Sequence, residues 1–200
     1  TTCLLALADY LNRAGAYRAV YANIETAQVA REDVAMGMAD VSWKIALAAS
    51  QQLGDKSALP LVQEMRAVTP ATTLVETFLS RWCEDAALPT VLLLDEVDAL
   101  VGDTLIALLR QLRSGYANRP QRFPQTIILC GVRSDRLAAV ATRLIAPGSF
   151  VGQGVHEPRL AARQFPNQVD RLRCEDLSSL RRVLQKQRAH LGLIEIAQPQ

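Results

Sequence analysis

The chain has 200 residues, 50% of them hydrophobic, and carries a formal net charge of +2. That length is enough for one domain with a substantial core and an appendage. No apolar run approaches the length of a membrane span, so we expect a cytoplasmic protein without a membrane partner. His156 and His190 lack partners at metal-ligand or triad spacing, which leaves histidine-based hydrolase and metal sites without support.

The first segment of the chain predicts a helix followed by a strand. Apolar residues recur at helical spacing from Leu4 to Leu11, directly after Thr1 and Thr2. Gly15 is placed to cap the end of that helix. Residues 17–25 are rich in aromatic and β-branched side chains, which is typical of a strand.

Helices and strands alternate through the next part of the chain. Residues 29–53 and 72–87 predict two helices, and Thr69 with Pro70 is a helix-start signal before the second. The region around Pro60 predicts a break between them. Residues 91–94 predict a buried strand, 104–112 a helix with one leucine-rich side, and 126–132 another buried strand. This order predicts an α/β fold in which right-handed crossovers build a parallel sheet.

Two neighbouring carboxylates, Asp95 and Glu96, directly follow the apolar strand at 91–94. An all-apolar strand suits the centre of a parallel sheet covered on both faces, and such sheets bind ligands at the carboxyl ends of their strands. In a phosphate-binding NTPase the first carboxylate orients Mg²⁺, and the second accepts a proton from the attacking water. The alternative is that both acids cap the N-terminus of the next helix.

Residues 1–133 resemble the AAA-like P-loop ATP-binding proteins, close to the AAA+, origin-recognition and signal-transduction ATPase branches. The matching pieces are the Walker-B-like strand that ends at Asp95 and Glu96, the helix start at 102–104 and the segment 129–133. The resemblance implies a three-layer P-loop NTPase core with ATP and Mg²⁺ as cofactors. It implies Thr1 and Asp95 as metal ligands, and Glu96 as the catalytic residue. The implied nucleotide-binding residues are Thr1, Thr2, Asp95 and Arg133, although the usual polar sensor residue at the end of the strand 126–132 is missing.

The phosphate-binding loop of that family, G-x-x-x-x-G-K-[ST], occurs nowhere in the sequence. Thr1, Thr2 and the helix after them are similar to the residues that follow the lysine in family members whose loop ends Gly-Lys-Thr-Thr. We therefore expect the sequence to begin just after the Walker A lysine, with the first strand and the P-loop outside it. An ordinary amphipathic helix with threonine caps is the alternative. Because the phosphate-binding loop is missing, we expect the 200-residue chain alone to have little or no ATPase activity. We expect the full-length protein to hydrolyse ATP.

The C-terminal third fits the family poorly. Residues 134–173 lack regular apolar spacing and predict a loop or a disordered linker. Residues 174–200 predict a helix from about Cys174 to Leu191, either a remnant of the AAA+ helical lid or a frameshifted or decayed replacement. Residues 133–200 carry 11 Lys/Arg against 6 Asp/Glu, which indicates either a nucleic-acid contact or a solvated basic surface.

The residues leave two functions open. The first is an ATP-binding and ATP-hydrolysing switch or motor that acts on an unknown protein client or on further copies of itself. The alternative is a non-catalytic module, a truncated or degraded ATPase fold that acts through protein contacts. The two differ in whether Asp95 and Glu96 work on a bound nucleotide.

Overall fold

The computed structural model describes residues 1–131 and 150–153. Within these residues, helices and strands alternate along most of the chain. The helices are α1 (Thr2–Ala14), α2 (Val34–Leu53), α3 (Ala58–Val68), α4 (Leu74–Glu84) and α5 (Gly102–Ser114). The strands are β1 (Arg18–Asn23), β2 (Thr90–Asp95), β3 (Thr126–Gly131) and β4 (Phe150–Gln153). Short 3-10 helices cover Glu25–Ala30, Val97–Ala99 and Gly115–Asn118.

The described strands form one parallel sheet in the order β1-β2-β3-β4. Strand β2 lies between β1 and β3, and its last residue, Asp95, is in register with Asn23 of β1. The predicted α/β class and the parallel sheet are therefore confirmed. Strand β4 lies inside the segment 134–173, which the sequence predicted to be a loop or a disordered linker. Four residues that include Gly152 are too short to show a periodic pattern, and the hydrogen bonds come from β3.

Alternate residues of the strands face two helical layers. On one face, α1 packs against the sheet through a small apolar cluster of Leu7, Ala8, Leu11, Ala19, Tyr21, Val91, Leu93 and Ile128. On the other face, α2, α4 and α5 cover a larger core that includes Val20, Leu92, Leu94, Ile127 and Leu129. This three-layer packing explains the all-apolar sequence of β2. Each fully buried leucine of β2 contributes roughly 1.5–3 kcal/mol to stability.

Two boundaries in the helical layer differ from the predictions. The region around Pro60 forms α3, not a break, because Pro60 is the third residue of the helix, where its missing N–H costs no hydrogen bond. The helix predicted from residue 29 begins at Val34, after the 3-10 helix Glu25–Ala30. There the carboxylate of Asp33 accepts the N–H of Met36 at 3.0 Å and caps α2.

The outer edge of β1 is closed by two side-chain amides. Asn12 of α1 accepts the N–H of Ala19 at 2.7 Å and donates to its carbonyl at 2.9 Å. Gln52 of α2 does the same for Tyr21, at 2.9 Å and 2.6 Å. These amides satisfy the main-chain groups that an edge strand would otherwise offer to another chain.

A polar network around Arg18 lies at the end of the sheet where the strands begin. Its guanidinium donates to the Thr90 hydroxyl at 2.6 Å and to the Trp82 carbonyl at 2.8 Å, and it lies 3.4 Å from the Asp55 carboxylate. It also stacks 4.1 Å above the centre of the Trp82 ring, whose indole N–H donates to Asp55 at 2.8 Å. The network ties β1, β2 and α4 together at the end of the sheet away from Asp95 and Glu96.

Of the predicted core at 1–133, the structure describes residues 1–131. The predicted helix from Cys174 to Leu191, and with it the lid remnant at 174–200, lies outside the described residues, as does Arg133. None of the described helices combines the length and the apolarity that a membrane crossing needs.

Candidate functional site

Asp95 ends β2 at the carboxyl edge of the sheet, and its side chain is only 3% exposed. Residues 91, 93 and 95 face the same side of the sheet, so the carboxylate lies on the side covered by α1. The Thr1 hydroxyl, at the N-cap of α1, donates to Asp95 Oδ2 at 2.7 Å. The Thr1 main-chain nitrogen lies 3.6 Å from the same oxygen. The predicted pair of Thr1 and Asp95 therefore comes together across 94 residues of sequence.

Two further groups hold the Asp95 carboxylate by hydrogen bonds. The phenol of Tyr21 donates to Oδ2 at 2.9 Å, and the N–H of Glu96 donates to Oδ1 at 3.1 Å. Burial raises the pKa of the thiol of Cys130, next to the last residue of β3, and the residue is near enough for the Asp95 charge to raise that pKa further. The sequence alone does not single out Tyr21, because only the register of β1 beside β2 places it near Asp95. The one sequence feature that points toward it is the alternation of β1, which places residues 21 and 23 on the same face of the sheet.

The ionisation of these groups follows from their mutual contacts. Burial acts to raise the pKa of Asp95, but the hydrogen bonds from Thr1 and Tyr21 outweigh it and hold the pKa below its usual range. Burial, together with Asp95, raises the pKa of Tyr21 to about 12, and the same causes raise the pKa of Cys130 to about 11. At neutral pH the site is therefore a carboxylate surrounded by protonated donors.

Glu96 adopts a left-handed conformation, with φ 59° and ψ 38°. A non-glycine residue in that region is uncommon, and such conformations cluster at functional sites. Burial raises the pKa of Glu96, and the negative charges of Asp95, Asp98 and Glu25 raise it further. A carboxylate with a raised pKa is a better proton acceptor near neutral pH.

The alternative role for the two acids, capping the next helix, is wrong for α5. That helix begins at Gly102, and its N-cap is Val101. Glu96 precedes only the 3-10 helix Val97–Ala99, and its side chain makes no capping hydrogen bond there. The placement of Asp95 and Glu96 is therefore not explained by helix capping.

The other two predicted nucleotide-binding residues are not brought to Asp95 by the described contacts. Thr2 is exposed on the first turn of α1. Arg133 lies beyond the described range, so its predicted role remains a prediction.

The oxygen atoms of Thr1 and Asp95 fit a hard divalent cation such as Mg²⁺. Among residues 1–131 and 150–153, no cluster of three or more His, Cys, Asp or Glu side chains is placed to hold a metal by itself. Mg²⁺ in nucleotide sites commonly uses one or two protein oxygens together with waters and phosphate oxygens. The paired oxygens, 2.7 Å apart, therefore suit a cation that arrives with a phosphate ligand.

Comparison of the chain with protein-family models, curated proteins and solved structures found no match.

Proposed function

We propose that Thr1, Asp95 and Glu96 form the cation and water half of the ATP site of an AAA-like P-loop ATPase. The observation that carries the proposal is the hydrogen bond of 2.7 Å between the Thr1 hydroxyl and Asp95 Oδ2. It joins the first turn of a helix to the end of the central strand β2, where parallel α/β sheets bind their ligands.

Each of the three side chains has a distinct task in this proposal. Mg²⁺, held at Thr1 and Asp95, would supply positive charge that offsets the negative charge of the phosphates. Thr1 offers an oxygen lone pair to the cation while its hydroxyl proton is donated in a hydrogen bond to the Asp95 carboxylate. Asp95 keeps that hydroxyl oriented and supplies a buried negative charge. Glu96 accepts the proton of the attacking water. Burial and the neighbouring acids raise its pKa, which favours this role.

In this proposal the phosphates lie against the start of α1. Helix α1 begins beside Asp95, and the first-turn amides of a helix favour phosphate. Thr2 and Arg133 are proposed as further nucleotide contacts. The protein would act in the cytoplasm, where ATP and Mg²⁺ are supplied, as a switch or motor for a protein client or for other copies of itself.

Two variants of the natural full-length protein test the proposal. Glu96→Gln should keep ATP binding and lower turnover by roughly 10²–10⁴-fold, because only the proton acceptor is lost. Asp95→Asn should weaken nucleotide binding in Mg²⁺ and leave the Mg²⁺-independent part unchanged. Asp103→Asn, which removes an exposed acid from the first turn of α5, is the matched control and should change neither quantity.

Turnover and binding are measured by phosphate release and by titration with a fluorescent ATP analogue. Full turnover in Glu96→Gln would contradict the assigned base. A wild-type protein that binds no nucleotide would favour the non-catalytic module, in which the same fold acts through protein contacts.

A further inference from the structure

Tyr21 is a buried tyrosine in the small apolar cluster beneath α1. Its hydroxyl is nevertheless aimed at the carboxylate of Asp95, at 2.9 Å from Oδ2. The same oxygen accepts the Thr1 hydroxyl at 2.7 Å. A phenol placed on the oxygen that binds the candidate metal ligand Thr1 calls for an explanation beyond packing.

The main chain of Tyr21 is fixed on both sides. Toward β2, the parallel register places it beside Leu93. Toward the outer edge, the Gln52 amide accepts its N–H and donates to its carbonyl, at 2.9 Å and 2.6 Å. With the backbone fixed and the ring buried, the hydroxyl has little freedom of its own, so it can act as a rigid reference for Asp95.

The orientation of the Asp95 carboxylate depends on such references. The χ2 torsion of aspartate is broad, so a carboxylate turns easily unless hydrogen bonds hold both oxygens. Oδ1 is held by the N–H of Glu96 at 3.1 Å, while Oδ2 is held by Tyr21 and Thr1. Thr1 is itself a candidate cation ligand and 54% exposed, which leaves Tyr21 as the fixed donor on Oδ2.

We propose that Tyr21 is a positioning residue that holds the Asp95 carboxylate toward Thr1 and thereby makes the site selective for Mg²⁺ over larger cations. This inference rests on the proposed function. Mg²⁺ requires nearly ideal octahedral geometry, whereas Ca²⁺ accepts flexible arrangements and longer bonds. Loosening the carboxylate therefore weakens Mg²⁺ more than Ca²⁺.

The test compares Tyr21→Phe with Tyr17→Phe in the natural full-length protein. Tyr17 packs against the same apolar cluster, so its variant is a matched control for the loss of a tyrosine hydroxyl. Mn²⁺ binding in the presence of ADP is measured from the electron paramagnetic resonance signal of free Mn²⁺, and Mg²⁺ and Ca²⁺ are measured by competition. Tyr21→Phe should weaken Mg²⁺ about tenfold, with a clearly smaller change for Ca²⁺. Tyr17→Phe should leave both affinities and their ratio at the wild-type values.

The melting temperature of each variant separates positioning from structural damage. An unchanged Mg²⁺ affinity in Tyr21→Phe, or equal losses for Mg²⁺ and Ca²⁺ together with a lowered melting temperature, would overturn the inference. If wild type binds Mn²⁺ with ADP and only Tyr21→Phe loses selectivity, but ATP is never hydrolysed, the proposed ATPase activity fails while the role of Tyr21 stands. If wild type binds no Mn²⁺ with ADP, both fail.

Discussion

The side-chain carbonyl of Gln111 in α5 accepts the N–H of Val75 in α4 at 2.8 Å. The same oxygen lies 3.4 Å from the N–H of Glu76, and the amide nitrogen donates to the carbonyl of Ala71 at 3.1 Å. The N-cap of α4, Thr73, makes no side-chain capping bond of its own. One helix therefore caps the start of another through a buried glutamine.

Replacing Gln111 with leucine should destabilise the protein by about 1–3 kcal/mol, because the buried N–H of Val75 loses its acceptor. The side chain is of similar size, so the loss is one of hydrogen bonding and not of volume. Urea unfolding followed by circular dichroism measures the change. Gln63→Leu on the exposed side of α3 is the control and should shift the midpoint little. Equal effects in the two variants would contradict the tertiary cap.

Asp55 should make stability depend on pH in the acidic range. Burial acts to raise its pKa, but hydrogen bonds from Ser57 and Trp82 and the charge of Arg18 hold the pKa below the ordinary value of 3.8. A depressed carboxyl pKa stabilises the folded state fully above the unfolded value, and that contribution is lost as the pH falls through the folded pKa. At pH 7, Asp55→Asn should cost about 2 kcal/mol because a charged hydrogen bond is lost.

The comparison of wild type with Asp55→Asn is made by urea unfolding at neutral pH and near pH 3. The difference in unfolding free energy should be largest at neutral pH and shrink as the pH falls. Asp85→Asn, at an exposed carboxylate just after α4, should match wild type at both pH values. A difference that stays constant with pH would mean that the Asp55 charge does not stabilise the fold.

Gly115 should tolerate no side chain, for a steric reason. Its φ of −68° is open to any residue, but a β-carbon there would collide with the buried ring of Phe123. Gly115→Ala should therefore destabilise by about 1–3 kcal/mol, the usual cost of overpacking. A double-mutant cycle with Phe123→Leu, measured by thermal unfolding, should give a combined loss smaller than the sum of the single losses. Additive losses would place the collision elsewhere.

The amide of Gln52 should protect the outer edge of β1 from other chains. Gln52→Ala would free the N–H and the carbonyl of Tyr21, and unpaired edge groups promote association between strands. Light scattering should detect association that grows with protein concentration, more strongly when Asn12→Ala is added. Gln51→Ala, one residue earlier and exposed, should remain like wild type. A monodisperse double variant would show that the edge is protected by other means.

The parts of the fold that the sequence predicted are those with a local pattern. The unbroken apolar residues of β2 marked a strand buried on both faces, and the leucine spacing of α5 marked its packed side. The ends of α1 also followed from the sequence, since Gly15 has the positive φ of 69° that favours glycine at a helix C-cap. In each case the signal lay within a few residues of the element that it predicted.

What the sequence did not predict depends on distant contacts. A proline breaks the interior of a helix but is tolerated in its first turn. Which of the two applies to Pro60 depends on the packing of α3 on the main core. Strand β4 exists through its pairing with β3. Tyr21 and Asp95 lie 74 residues apart in sequence, and their contact follows from the register between β1 and β2. Thr1 and Asp95 were paired because the resemblance to AAA-like P-loop ATPases implies both as metal ligands.

The separate apolar cluster under α1 makes that helix a distinct unit of stability. Local opening of α1 would expose this small cluster and leave the larger core intact, so its amide hydrogens should exchange faster than those of β2. The same opening would carry Thr1 away from Asp95. A ligand that needs both residues therefore favours the closed form by mass action. Binding of the ligand and docking of α1 on the sheet are then coupled in one equilibrium. A change in the bound ligand would therefore change the fraction of molecules in which α1 is docked.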